Sequence, residues 1–261
     1  MTLLLAERGA EVHHAPWSEL LDRARELGGV DSLIVDAPYS ERTHAGHDGG
    51  TAQANGDDRV WTRSNGRVES KIVRRDIDYA HWSEEEVREF VTAWSPLVRG
   101  WIVSLTDDVL FGAWRSALAD AGRQTFQDVP AVVSGMAVRL TGDGPSSWCI
   151  HAAVARPRTK LMASWGTLPG AYTGPSERQP VVGGKPSWLM RALVRDYTRP
   201  GDLVCDPCGG AMTTGLACVM EGRRFLGGDA MREHAEMGVE RLRAMPGETK
   251  AGQLALLGGG R

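Results

Sequence analysis

The chain has 261 residues, of which 42% are hydrophobic and 24% charged, and its formal net charge at pH 7 is −3. This length and apolar content allow a substantial core, which excludes wholesale disorder and predicts a single domain over residues 1–261. The slightly negative charge excludes a global basic field, so nucleic-acid contacts require local basic patches. No apolar run reaches the roughly 18 residues of a membrane span. The four cysteines are typical of a reducing compartment, so we expect a cytoplasmic protein with no membrane partner.

Hydrophobic periodicity predicts strands that alternate with helices along most of the chain. In chain order the predicted elements are strand 11–15, helix 18–27 with Ser18 as N-cap, strand 30–35, helix 83–94, strand 100–105, helix 110–121, strands near 129–140 and 147–155, helix 186–197, strand 203–205, helix 213–221, strand 224–226 and helix 232–245. This alternation predicts an α/β fold with a doubly wound, mostly parallel sheet. The two consecutive strands predict an antiparallel hairpin at one edge.

The segment "PGDLVCDPCGGAMTTGLACVMEGRRFLGGDA" is typical of a βαβ unit with a glycine turn after its first strand. Gly209 and Gly210 allow a ligand to approach the backbone, and the following helix offers free N–H groups. Asp229 ends the second strand, where an acid commonly binds ribose hydroxyls. Asp206 would repel a phosphate, so the dinucleotide fingerprint is excluded. The pattern suits a nucleoside cofactor with a cationic amino group and no phosphates, which describes S-adenosylmethionine.

Four motifs carry a resemblance to a known family. They are "DAPY" at 36–39, "GKPSWLMRALVRDYTRPGD" at 184–202, "DPCGGAMTT" at 206–214 and "EGRRFLGGDAMREHAEMGVERL" at 221–242. In this order the chain resembles the beta class of DNA amino-methyltransferases, in which the catalytic segment precedes the cofactor segment. The resemblance spans most of residues 11–245 and implies a Rossmann-like methyltransferase fold with circularly permuted motif order.

The resemblance implies a catalytic turn formed by Asp36, Ala37, Pro38 and Tyr39. An exocyclic amine is a poor nucleophile because its lone pair is delocalised into the base. The Asp36 carboxylate and the Ala37 carbonyl would accept its two hydrogens and free the lone pair, Pro38 would stiffen the turn, and Tyr39 would stack on the flipped base. In isolation the same four residues are also consistent with an ordinary strand-to-loop turn.

The resemblance also implies an S-adenosylmethionine site, with Asp206 near the methionine moiety and Asp229 on the ribose. The predicted cofactor-binding residues are Lys185, Pro186, Asp206, Pro207, Cys208, Gly209, Gly210, Thr213, Thr214 and Asp229. Two simpler interpretations stay open. Asp229 could cap a helix and have no role in binding, and Lys185-Pro186 could begin a helix and have no further role.

The chain departs from the family pattern at three motif positions. Ala37 stands where the family usually has proline, and Cys208 stands where it has phenylalanine. Met212 replaces the second glycine of the loop, so we expect it to narrow the loop and weaken cofactor binding. Cys205 and Cys208 also form a C-x-x-C spacing, but the chain lacks a matching second pair for a zinc site.

Two irregular segments are candidates for DNA contact: an inserted basic loop over 40–80 and a target-recognition segment over 156–184. The loop combines arginines with an aromatic residue, as phosphate and base contacts require, although a solvated charged loop is the simpler alternative. The predicted DNA-binding residues are Arg42, His44, His47, Arg59, Trp61, Arg63, Arg67, Lys71, Arg74, Arg75, Arg156, Arg158 and Lys160. His44 and His47 could ligate a metal only on a helix, which Asp48-Gly49-Gly50 disfavours, so no metal is expected.

We therefore predict a DNA methyltransferase that transfers a methyl group from S-adenosylmethionine to an exocyclic amine, encoded by a bacterium or phage. The aspartate at position 36 favours adenine N6 over cytosine N4. The remaining alternatives are an RNA or protein-amide methyltransferase and a catalytically defunct nucleic-acid-binding module. Double-stranded DNA is the expected partner, and a homodimer is considered because no sizeable separate recognition domain is evident.

Overall fold

The computed structural model describes residues 1–48, 60–62, 68–71, 79–135, 148–159 and 165–246, with only the backbone described at 45–48, 60–62 and 68–71. Its strands are β1 (Thr2–Glu7), β2 (Ala10–His14), β3 (Ser32–Asp36), β4 (Val60–Thr62), β5 (Val68–Lys71), β6 (Ile102–Thr106), β7 (Gln124–Thr125), β8 (Ala131–Ser134), β9 (Cys149–Arg156), β10 (Tyr172–Pro175), β11 (Leu203–Asp206) and β12 (Arg224–Asp229). Its helices are α1 (Trp17–Glu26), α2 (Glu41–Asp48), α3 (Glu84–Trp94), α4 (Phe111–Asp120), α5 (Ser187–Tyr197), α6 (Thr213–Met220) and α7 (Arg232–Arg243), with a 3₁₀ turn at Ser95–Leu97.

The main sheet has the strand order β1-β2-β12-β11-β3-β6-β9-β8-β10, with β7 paired to β9, while β4 and β5 form a separate antiparallel pair. Strands β2, β12, β11, β3 and β6 are mutually parallel. Strand β9 is antiparallel to both β6 and β8. The predicted doubly wound, mostly parallel sheet with an antiparallel pair is confirmed.

Helices cover both faces of the sheet, and the side chains of β3 show the alternation. Leu33 and Val35 face the core that α1, α3 and α4 cover, whereas Ile34 faces the core that α5, α6 and α7 cover. These three residues are fully buried, which explains why this strand has a continuous apolar sequence. Helix α3 begins with the predicted acidic first turn, and Ser83 and Glu86 form a reciprocal capping box.

The structure corrects several predicted elements. Ser18 lies inside α1, whose N-cap is Pro16, so Ser18 is not the cap. Strand β1 was not predicted because most of its side chains are exposed. It joins β2 through a two-residue turn, Arg8-Gly9, with φ of 53° and 76°, as type I′ hairpins require. Strand β10 was also missed; it pairs in parallel with β8, so the antiparallel pair does not form the edge.

Helix α2 is a further correction. We predicted that Asp48-Gly49-Gly50 would prevent a helix around His44 and His47, yet both residues lie in α2. The helix begins directly after Ser40, whose carbonyl accepts the backbone N–H groups of Thr43 and His44. The sequence Asp48-Gly49-Gly50 therefore does not prevent a helix over His44 and His47. Among the described residues, no helix is both long and apolar enough to cross a membrane.

Candidate active site

Three aspartates end neighbouring parallel strands of the sheet. Asp36 ends β3, Asp206 ends β11 and Asp229 ends β12. Because β3, β11 and β12 are adjacent and parallel, their carboxyl ends meet at one edge, where ligands bind in open α/β sheets. The topology therefore brings the predicted catalytic segment and the predicted cofactor segment together, although they are about 170 positions apart.

Asp36 is paired with a lysine from the cofactor segment. Lys185 Nζ donates a 2.7 Å hydrogen bond to Asp36 Oδ2 and lies 2.7 Å from Oδ1 as well. Both carboxylate oxygens therefore lie against the ammonium group, and Oδ1 is buried and accepts no hydrogen bond. Burial raises the pKa of Asp36, and the positive charge of Lys185 opposes that rise. Asp36 thus has one oxygen in a hydrogen bond with Lys185 and one in ion-pair contact with the same ammonium group.

Tyr39 lies in the same turn and contacts the same lysine. Lys185 Nζ lies 4.8 Å from the centroid of the Tyr39 ring, which is a cation–π distance. The Tyr39 hydroxyl is buried without a hydrogen-bond partner. Burial, together with the negative charge of Asp36, raises the pKa of Tyr39, so the hydroxyl stays neutral. The ring is therefore held at the site by packing and not through its hydroxyl.

The backbone after Tyr39 is fixed by Asp107 and Trp82, which were not among the predicted site residues. The Asp107 carboxylate, directly after β6, accepts hydrogen bonds from Ser40 N at 3.0 Å, Ser40 Oγ at 2.6 Å and Thr43 Oγ1 at 2.6 Å. The N–H of Trp82 donates to the Tyr39 carbonyl at 2.9 Å. Ala37 is buried in the core below the turn. An acid directly after a strand that precedes a helix was the available signal for Asp107.

Asp206 is a buried carboxylate on the cofactor side of the site. Its Oδ2 accepts a hydrogen bond from Thr214 Oγ1 at 2.5 Å, and its Oδ1 accepts one from Cys208 N at 3.1 Å. Burial raises the pKa of Asp206 to about 7, and the charges of Asp36 and Asp229 contribute to that rise. This edge therefore carries an excess of negative charge that a cationic group would relieve.

The glycine turn is tied to Asp229. Its Oδ2 accepts the Gly210 N–H at 2.8 Å, and its Oδ1 accepts the Met231 N–H at 2.8 Å before α7. The simpler interpretation, that Asp229 only caps a helix, is therefore incomplete because Asp229 also holds the turn. Gly210 has φ of 50°, and among the described residues a methyl group there would meet only Val181 Cγ2, at 3.8 Å. The outer side of this turn is therefore accessible to a ligand.

The other predicted cofactor residues lie in the glycine turn and at the starts of α5 and α6. Pro207 is buried, and Cys208 is half-buried. Burial and the charges of Asp206, Asp229 and Asp36 raise the pKa of the Cys208 thiol, which disfavours a thiolate and redox use. Thr213 opens α6 and its Oγ1 accepts a 3.0 Å hydrogen bond from Arg241. Pro186 precedes α5 as its N-cap, so the Lys185-Pro186 pair both begins a helix and reaches Asp36.

Met212 does not face the open side of the glycine turn. Its side chain is fully buried among Gly209, Gly227 and Gly238, and it belongs to the core beneath α7. Its backbone has φ of 56°, in the left-handed region that glycine ordinarily occupies. The expectation that Met212 narrows the loop is therefore wrong, because the side chain points into the core.

The predicted DNA-contact residues are only partly brought to this edge. Arg42 forms an exposed 3.0 Å ion pair with Asp108, and the His44 ring packs edge-on against Tyr79 and His81. Arg156 follows Ala155, which pairs with Ile102 at the start of β6. Asp36 pairs with Leu105 near the end of β6. Arg156, and Arg158 after it, thus lie at the opposite edge from the aspartates.

The remaining DNA-contact predictions are untested by the structure. For His47, Trp61 and Lys71 only the backbone is described. Outside the described residues lie Arg59, Arg63, Arg67, Arg74, Arg75 and Lys160. Within the part of the chain that the structure describes, no group of three or more His, Cys, Asp or Glu side chains could hold a metal ion.

Comparison with solved structures defines the class of fold. The chain superimposes on the M1.HpyAVI–SAM complex with a TM-score of 0.63 at 19% identity, covering 89% of this chain and 98% of that chain. It superimposes on the cytosine-N4-specific PvuII DNA methyltransferase with a TM-score of 0.58 at 12% identity, covering 94% and 90%. The chain therefore shares its fold with these two solved structures.

Sequence comparison finds similarity over the cofactor segment. Residues 177–240 match the family model described as DNA methylase. A segment of 58 residues, 22% of this chain, is 38% identical to the DNA adenine methyltransferase YhdJ of Escherichia coli and covers 20% of it. A segment of 60 residues, 23% of this chain, is 38% identical to the Type II methyltransferase M2.DpnII of Streptococcus pneumoniae and covers 22% of it. These alignments span about a fifth of each relative, and they confirm the resemblance to the amino-methyltransferases of DNA.

Proposed function

We propose that this protein is a site-specific DNA methyltransferase that transfers a methyl group from S-adenosylmethionine to the exocyclic amine of a flipped base. One observation carries the proposal. Asp36 presents a buried carboxylate oxygen that accepts no hydrogen bond at the same sheet edge as Asp206 and Asp229. An acceptor for an amine hydrogen thus lies beside a pocket suited to a cationic nucleoside cofactor.

The residues of the turn would activate the amine. Asp36 Oδ1 accepts one N–H of the target amine, and the backbone carbonyl of Ala37 accepts the other. The carbonyl is a backbone group, so alanine supplies it as proline would. Hydrogen bonds to both amine hydrogens leave the nitrogen lone pair available to attack the methyl carbon from the side opposite the departing sulfur. Much of the rate gain comes from this alignment. The amine loses its proton to the solvent or to Asp36.

The cofactor segment fits S-adenosylmethionine by charge and by shape. The cofactor supplies a methyl group on a positively charged sulfur and also carries an ammonium group. Asp206, buried near Asp36 and Asp229, has a pKa of about 7 because burial and nearby negative charges oppose its ionisation. A cationic ligand would favour its ionised form. Asp229, which holds Gly210 N, would also bind the ribose hydroxyls.

Tyr39 would hold the flipped base. Stacking of a base on an aromatic ring contributes about 1–3 kcal/mol. This is comparable to the few kcal/mol that extrusion of the base from the duplex costs. Lys185 Nζ contacts both the Tyr39 ring and the Asp36 carboxylate, so a base stacked on that ring would have its amine near Asp36.

We propose adenine N6 as the target atom, double-stranded DNA as the partner, and the basic segment 40–80 as a DNA-contacting arm. Support for adenine comes from the aspartate at position 36 and from the 38% identical segment of a DNA adenine methyltransferase. A homodimer stays a prediction.

Incubation with labelled S-adenosylmethionine and unmethylated genomic DNA tests the proposal, with nucleoside mass spectrometry as the readout. We expect labelled N6-methyladenine in the DNA. Labelled N4-methylcytosine would support the proposed transfer reaction but would show that the target base is cytosine and not adenine. Label in RNA or protein but not in DNA would overturn the substrate class. Absence of both transfer and calorimetric cofactor binding would indicate a nucleic-acid-binding module without catalysis.

A further inference from the structure

The Lys185 ammonium group is buried at the junction of the two motifs. The residue is 7% exposed, and its Nζ donates to Asp36 Oδ2 at 2.7 Å and to the Gly183 carbonyl at 2.6 Å. The same Nζ lies 4.8 Å from the centroid of the Tyr39 ring. Each of these contacts restrains the ammonium group, which therefore has little freedom to leave the Asp36 carboxylate.

We propose that Lys185 is a positioning residue that keeps Asp36 ionised and leaves Oδ1 as the acceptor for the target amine. The resemblance implied only that Lys185 lies beside the cofactor pocket. The part of this inference that concerns turnover rests on the proposed function. The part that concerns the Asp36 carboxylate does not, because the ion pair exists without cofactor or DNA.

Charge balance explains why Asp36 needs this partner. From its own turn it faces Tyr39, from the segment before α5 it faces Lys185, and from β11 and the glycine turn it faces Asp206 and Cys208. Among these groups only Lys185 carries a positive charge. A buried carboxylate beside another carboxylate takes up a proton unless a cation opposes this. A protonated Asp36 would have lost the charge that draws on the amine hydrogens.

Geometry explains the choice of oxygen. A free carboxylate can rotate and offer either oxygen to a donor. Lys185 occupies Oδ2, and the carbonyl of Gly183 fixes the position of Nζ. The rotation of Asp36 is thereby restricted, and Oδ1 is the oxygen that accepts no hydrogen bond and can take one from a substrate. Preorganised acceptors contribute to catalysis because they need no reorientation when the substrate binds.

The first experiment measures Asp36 directly, without cofactor or DNA. Carboxyl carbons of the aspartates are labelled with carbon-13 and titrated by NMR, and the Asp36 signal is assigned by its loss in Asp36→Asn. In Lys185→Met, which keeps an unbranched stem without the charge, we expect the Asp36 titration to move upward by about 1 to 3 on the pH scale. Arg195→Met removes a positive charge from the exposed face of α5 and should leave the signal unchanged. An unmoved Asp36 titration in a folded Lys185→Met protein would overturn the inference.

The second experiment measures turnover as a function of pH. In Lys185→Met the acid limb of kcat/KM should move upward with the Asp36 titration, whereas Lys185→Arg should retain a limb near the wild-type position. The Kd for S-adenosylmethionine should change less than threefold in Lys185→Met. A large loss of cofactor affinity with an unmoved acid limb would assign Lys185 to the cofactor alone. If the wild type transfers no methyl group to DNA, the proposed function fails while the NMR titration still decides the role of Lys185.

Discussion

The side chain of Met212 packs directly against Gly238 of α7. A methyl group at position 238 would lie 2.8 Å from Met212 Cβ, closer than real carbon contacts allow. Gly209 and Gly227 leave room for the Met212 sulfur in the same way, since a methyl group there would lie 2.6 Å and 2.9 Å from Sδ. A methionine where the family has glycine is thus accommodated by three glycines around it.

Gly238→Ala should destabilise the protein by about 1–3 kcal/mol, because overpacking forces the surrounding helix or side chain to move. The measurement is the free energy of unfolding in urea. The matched control is Gly238→Ala combined with Met212→Gly, which removes the Cβ and Cγ atoms that the new methyl group would meet. Because the clash is removed, the double variant should lose clearly less unfolding free energy than the two single variants lose in sum. Additive losses would contradict direct packing between the two residues.

Met212→Gly should lower stability rather than improve the cofactor loop. Deletion of a fully buried methionine side chain costs about 2–5 kcal/mol, whereas relief of the left-handed backbone returns only about 1–2 kcal/mol. We therefore expect a lower midpoint of thermal unfolding and an unchanged Kd for S-adenosylmethionine near neutral pH. A tighter Kd in the glycine variant would show that Met212 does narrow the loop.

Asp36→Asn should abolish methyl transfer while leaving cofactor binding nearly intact, because the amide lacks the charge that draws on the amine hydrogens. Single-turnover transfer to DNA and calorimetry measure the two effects. Asp36→Ala should also lower stability by about 3–5 kcal/mol, since the buried Lys185 ammonium loses its carboxylate partner. Retained transfer in both variants would contradict the proposed role of Asp36.

Cofactor binding should become stronger as the pH rises from 6 to 8. The pKa of Asp206 is about 7, and a cationic ligand binds the ionised carboxylate. Below that pKa the binding constant should rise up to about tenfold per pH unit and then level off above it. Calorimetry across this range measures the slope. Asp206→Asn should flatten it, whereas His234→Gln, which removes a titratable group near Asp229, should preserve it.

Tyr39→Phe should be nearly neutral for stability and base binding, because the hydroxyl is buried without a partner. Tyr39→Ala should weaken DNA binding by about 1–3 kcal/mol through lost stacking. Fluorescence of 2-aminopurine at the target position measures base extrusion in both variants. A large loss in Tyr39→Phe would assign a role to the hydroxyl that this geometry does not support.

Asp107→Asn should loosen the segment after the catalytic turn. Burial raises the pKa of Asp107, but hydrogen bonds from Ser40 and Thr43 outweigh burial and lower it below 3.8. Asp107 therefore stabilises the protein above that pH, and the stabilisation is lost as the pH falls through the lowered pKa. The difference in unfolding free energy between wild type and variant, about 1–3 kcal/mol at pH 7, should shrink toward pH 3. A difference independent of pH would contradict this.

The sequence by itself determined the alternation of strands and helices, the parallel sheet and the two motif segments. These features are local, because a buried strand such as Ser32–Asp36 has a continuous apolar pattern and a glycine turn has its own backbone requirement. Helix α2 and strands β1 and β10 were not predicted because they lack such a clear local pattern. Their sequences have weak periodicity, and contacts with Asp107, β2 and β8 stabilise them.

Only the tertiary structure decided which side chains meet. The pairing of Lys185 with Asp36 depends on β3 and β11 being neighbours, and the sequence separation of 149 residues gives no sign of it. The burial of Met212 likewise depends on α7 presenting Gly238. Strand order also placed Arg156 at the edge opposite the aspartates, because β9 runs antiparallel to β6. Composition and local pattern specify chemical groups, whereas strand order and direction specify their neighbours.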